Sequence, residues 1–79
     1  MRILDDDRDR AIERVTVFLT RSEAGEVRDK LNALLSGDVG EHVHVSDSDL
    51  QREITLAIYS EDDLLRFNER ARRIIKTGE

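Results

Sequence analysis

The chain alternates between two hydrophobic periods. From Ile12 to Thr20 the apolar residues Val15, Val17 and Leu19 alternate with Arg14, Thr16, Phe18 and Thr20. This period-two pattern, rich in β-branched residues, predicts a half-buried strand. Thr20 is followed three residues later by Glu23, the spacing of a capping box, with Ser22 as a competing N-cap. The period then lengthens. Ala24, Val27, Leu31, Leu34 and Leu35 recur at three and four residues, and Glu26, Arg28, Asp29 and Lys30 fall on the other side, which predicts a core-facing helix. Gly37 stands where a left-handed residue closes a helix, and Gly40 extends the turn.

Alternation returns in His42-Val43-His44-Val45, stops at the polar turn Ser46-Asp47-Ser48-Asp49, and resumes through Ile54, Leu56 and Ile58 with Glu53, Thr55, Ala57 and Tyr59 opposite. Two strands joined so closely predict an antiparallel hairpin. Ser60 with Glu61, Asp62 and Asp63 reads as a second helix start whose acidic first turn suits the positive end of the helix dipole. Leu64, Phe67, Ala71, Ile74 and Ile75 line its predicted buried face, with Leu65 at the margin. Arg70, Arg72, Arg73 and Lys76 complement its negative end, and Gly78 terminates it.

The expected order is strand, helix, strand, strand, helix: an α+β two-layer sandwich in an incomplete ferredoxin-like arrangement. Residues 11–79 form its single domain. Both helices cover one sheet face over Val15, Val17, Leu19, Val43, Val45, Ile54, Leu56 and Ile58, with the returning hairpin strand between the first two strands. Residues 1–10 are an acidic tail or an extra amino-terminal edge strand. If Met1 to Leu4 pairs with the next strand, the aspartates Asp5, Asp6, Asp7 and Asp9 form the connection; otherwise the segment stays loose. Either that segment, a second copy of the chain as a homodimer, or a different protein covers the open edge of the first strand.

At 79 residues the core is thin, because a chain this short removes only about 60 % of its unfolded surface from water. No cysteine is present, which excludes disulfides, thiolate metal sites and thiol catalysis and fits a reducing cytosol. The amino terminus carries aspartates where a signal peptide carries a basic and then an apolar segment, so a cytoplasmic location is expected. A formal charge of −5 disfavours phosphate-backbone binding and favours either plain solubility or a basic protein partner.

Candidate chemistry is sparse. The sheet face away from the helices collects Thr16, Phe18, His42, His44, Thr55 and Tyr59, and exposed aromatics at the centre of a sheet are typical of a binding surface. The same residues also stabilise a sheet by packing across strands, with no partner. His42 and His44, two apart on one strand, project to one side as the candidate metal ligands, with Glu41 or Asp47 as added donors; no metal or cofactor is assigned. Arg66, Arg70 and Arg73 offer a fallback nucleic-acid contact, though their place near a helix end already accounts for them. The serines Ser22, Ser46, Ser48 and Ser60 sit at predicted caps and turns, the carboxylates cluster on loops, and no phosphate-cradling glycine motif occurs. An enzyme is not expected.

The string Phe18-Leu19-Thr20-Arg21-Ser22-Glu23-Ala24, then His42-Val43-His44-Val45-Ser46 and Glu53-Ile54-Thr55-Leu56-Ala57-Ile58-Tyr59, resembles small uncharacterised bacterial α+β proteins, some of them similar to immunity proteins of toxin loci. The resemblance spans residues 12–75 and carries over no functional residue. It implies a small acidic protein that binds another protein. The sequence thus predicts a noncatalytic protein-interaction module, an inhibitor or immunity-like factor, using the Phe18, His42, His44, Thr55 and Tyr59 face or the open strand edge. A small-ligand or metal site at His42 and His44, and nucleic-acid binding through the basic helix, are the alternatives.

Overall fold

A computed structural model describes Met1–Glu79 as a small α+β protein with two antiparallel sheets of two strands each. The chain divides into two units, Met1–Val17 with Ser60–Glu79, and Phe18–Tyr59. No helix is long and apolar enough to cross a membrane.

In the first unit, β1 (Ile3–Asp5) pairs antiparallel with β2 (Arg10–Ile12), Ile3 opposite Ile12 and Asp5 opposite Arg10. Of the two outcomes the sequence left open for the amino terminus, the structure adopts the strand. The aspartates make the connection: Asp5 Oδ1 accepts the N–H groups of Asp7 (3.1 Å) and Arg8 (3.2 Å). Partial removal from water pushes the Asp5 carboxyl up. The Arg8 N–H, its guanidinium and the Asp7 N–H outweigh that and hold it below the usual carboxylate range.

The single helix expected after Ser60 is two pieces. Ser60 Oγ does cap, accepting the Asp62 N–H at 3.3 Å, but Glu61–Arg66 forms 3₁₀ turns broken at Asp63 (φ −135°, ψ 45°). The chain then extends at Phe67, and α2 spans Glu69–Thr77 with Asn68 as its own N-cap, Oδ1 accepting the Ala71 N–H at 2.8 Å. Three successive acidic residues and a strong Asn cap downstream favour starting twice over continuing once. Ile74 is the buried residue of this unit, and Leu65 is almost fully exposed.

The second unit forms its helix and its hairpin where the pattern places them. Helix α1 (Arg21–Ser36) opens with the predicted capping box: Thr20 Oγ1 accepts the Glu23 N–H (3.1 Å) and Glu23 Oε1 accepts the Thr20 N–H (2.9 Å). It closes at Gly37, whose φ of 81° is left-handed and whose N–H donates to Leu34 O (3.2 Å). β3 (His42–Ser46) and β4 (Glu53–Ala57) form the predicted hairpin, His44 opposite Thr55 and Val45 opposite Ile54. Its core is Leu34 of α1 with Val43 and Val45 of β3. Ala24, Leu31 and Leu35, expected on the buried helix face, are exposed, Leu35 at 76 %.

The main departure is at Ile12–Thr20. Only Ile12 belongs to a sheet; Glu13 lies in a bend, and residues 14–20 adopt neither helix, turn nor paired strand. The expected three-stranded sheet is therefore absent, and the hairpin stands as a sheet of two. Alternation records a preference for a pleated, half-buried surface, and only a neighbouring edge turns that preference into a strand.

Candidate functional site

The unpaired segment leaves apolar groups in water. Val15 (57 %), Val17 (47 %) and Leu19 (41 %) are exposed, and so is Phe18 at 91 %. The first three, expected in the core, are not buried, because the three-stranded sheet that would cover them does not form. The signal for this was present in the sequence. Thr20 is both the last residue of the alternating run and the cap of α1, so no residue remains to turn a core strand back under its helix.

The hairpin has an open edge. Ile58 N–H donates to Glu41 O (3.2 Å) and Asp47 N–H to Arg52 O (3.0 Å). With the observed register, Val43 with Leu56 and Val45 with Ile54 are then the hydrogen-bonded pairs. The N–H and C=O groups of Glu53, Thr55 and Ala57 consequently point away from β3, along an edge that no strand covers. The outward edge of β3 is partly occupied, since Lys30 Nζ donates to His44 O.

The predicted aromatic face is only partly assembled. His42, His44 and Thr55 share the exposed side of the hairpin, the two imidazoles edge to face with centroids 5.1 Å apart. His44 Nδ1 lies 2.8 Å from Thr55 Oγ1 and 3.4 Å from Glu53 Oε1. Tyr59 follows β4 and is half-buried, and Phe18 belongs to no sheet.

Asp47, considered as a metal donor, is occupied by the loop it organises. Its Oδ1 accepts the N–H groups of Arg52 (3.0 Å) and Gln51 (2.8 Å), and its Oδ2 faces Arg52 Nη1 at 3.3 Å. The Arg52 N–H bond is the largest cause holding its carboxyl down to about 2, against some loss of hydration and with help from the Asp49 side chain, the Gln51 N–H and the Arg52 guanidinium. No group of three or more His, Cys, Asp or Glu side chains stands close enough to hold a metal ion.

The candidate nucleic-acid residues each face a carboxylate. Arg66 pairs with Asp63 (2.9 Å) and lies over the Phe67 ring, Arg70 binds Asp9 and donates to Glu79 O, and Arg73 reaches Asp9 at 4.0 Å.

No protein-family model matches the chain, and neither the curated proteins nor the solved structures contain a match to it.

Proposed function

We propose that the protein is a noncatalytic protein-interaction module whose docking element is the segment Glu13–Thr20. The observation that carries this reading is the exposure of Val15, Val17, Phe18 and Leu19 in a stretch that has the sequence of a strand and no strand partner. Main-chain pairing with a protein edge satisfies its N–H and C=O groups and buries its apolar side chains together, as in other strand additions. The incomplete ferredoxin-like sheet expected from the sequence is then the docked state. A cytoplasmic setting fits this role, since the chain has no thiol that an oxidising compartment would use. Phe18, His42, His44, Thr55 and Tyr59 remain the side chains proposed to shape the docked surface.

The test compares the immobilised protein with its Val15→Asp, Val17→Asp double variant, using lysate of its native cell. Chains retained by the parent and lost by the variant, further copies of the protein included, support the reading. Retention of the same set by both, or of nothing by either, refutes it.

A further inference from the structure

We infer that the partner of Glu13–Thr20 is a second copy of this chain, and that two copies exchange these segments, each adding an antiparallel strand to the outer edge of the other's β4. This rests on the interaction reading above and names its partner.

The first support is register. Pairing that sets Val17 opposite Leu56 also sets Val15 opposite Ile58 and Leu19 opposite Ile54, so three alternating apolar residues meet three on the core-facing side of the hairpin. On the other side, Thr16 meets Ala57, Phe18 meets Thr55 and Arg14 meets Tyr59. Thr16 and Phe18 then exchange N–H and C=O bonds with Ala57 and Thr55, whose groups point outward from β4. The ladder stops there for a local reason: the Thr20 N–H and C=O are already committed to Glu23 Oε1 and the Ala24 N–H. Phe18 arrives beside Thr55 and His44, so the aromatic face predicted from the sequence is built across two chains.

The second support is connectivity, which argues against the chain using its own edge. The short link after α1 makes β3 run back along the helix. A strand antiparallel to β4 is parallel to β3 and so opposed to α1. Reversing from strand to helix ordinarily takes about two to six residues. Here Thr20 alone stands between Leu19 and the first residue of α1. Hinges too short to close within one chain are the ones that exchange between chains, and a two-fold pair satisfies both donors and both edges with none left over.

The experiment uses the full chain with Thr16→Cys and Ala57→Cys, clean because the sequence has no cysteine. Both positions are exposed, and a hydrogen-bonded antiparallel pair holds its Cα atoms about 5.5 Å apart, within disulfide reach. The expected result, after mild oxidation with diamide, is a covalent dimer of twice 9.1 kDa on a non-reducing denaturing gel, and the same doubled mass for the parent by light scattering. An internal disulfide in a monomer overturns both this inference and the interaction reading, because the segment then serves its own chain. A monomeric parent with no disulfide in the variant overturns the inference alone and leaves the segment to a different protein. In the parent sequence, Val17→Asp is expected to halve the scattering mass while far-UV circular dichroism keeps the α1 signal; a mass that stays doubled overturns the proposal.

Discussion

Leu34 and Leu35 are neighbours on α1, both on the face the sequence assigns to the core, and the structure separates them: 5 % of Leu34 is exposed against 76 % of Leu35. Truncating each to alanine measures which assignment is right. Leu34→Ala removes three carbons from the contact with Val43 and Val45, a transfer loss of about 2.4 kcal/mol at ~0.8 kcal/mol per carbon. A residual void of roughly 50 Å³ adds roughly 1 kcal/mol at about 24 cal/mol per Å³. The expected cost is therefore about 2.5 to 3.5 kcal/mol, a large part of the roughly 4 to 12 kcal/mol that a chain of this length commands. Leu35→Ala loses little burial and gains slightly in helix propensity, so its effect falls within about 0.5 kcal/mol. Urea titration followed by far-UV circular dichroism at one fixed chain concentration gives both values, with the slope unchanged if the two variants unfold the same surface. Equal costs at the two positions, or a Leu34→Ala cost under about 1 kcal/mol, would refute the packing of α1 described above.

Three further outcomes are expected. Thr20→Ala removes one half of the capping box and should cost about 1 kcal/mol in the same titration, with Glu23→Ala adding less in that background than alone; strict additivity would show that the two bonds are not reciprocal. Asp47→Asn should weaken the hairpin loop in a pH-dependent way. The Asp47 carboxyl titrates at about 2 when folded against 3.8 as its ordinary value, so its stabilisation is complete above about pH 4 and disappears as pH falls through about 2. Melting temperatures of parent and variant should accordingly converge over that interval, and a gap independent of pH would contradict the assignment. Leu50 is exposed and held at φ 58°, a left-handed conformation that asparagine tolerates better than leucine. Leu50→Asn should raise stability by about 0.5 to 1 kcal/mol, and any loss in urea titration would count against strain at that site.

What was legible in the sequence follows from how local each signal is. Thr20, Glu23 and Gly37 act within one turn of the residues they serve, and both ends of α1 were readable from them. The β3–β4 hairpin was readable because its two alternating runs are separated only by a polar loop that Asp47 ties together. The break before α2 is hidden because Leu64, Phe67, Ala71 and Ile74 keep helical spacing across it, whereas the Asn68 side chain caps a new helix. The largest error came from the least local feature. Val15, Val17 and Leu19 alternate as strand residues do, but whether they pair depends on connectivity, and Thr20, as the cap of α1, leaves no residue for a turn between them and the helix. The aromatic face was half legible for the same reason: His42, His44 and Thr55 are placed by the hairpin, and Phe18 is not.

Amide hydrogen exchange by nuclear magnetic resonance, on concentrated protein, tests the docking of Glu13–Thr20 on a second copy of the chain most directly. The account predicts an alternating record: slow exchange at Thr16 and Phe18 and at Thr55 and Ala57, fast exchange at Val15, Val17 and Leu19, and loss of the protection on dilution. Fast exchange throughout residues 14–19 at every concentration, or protection that dilution does not remove, would contradict it.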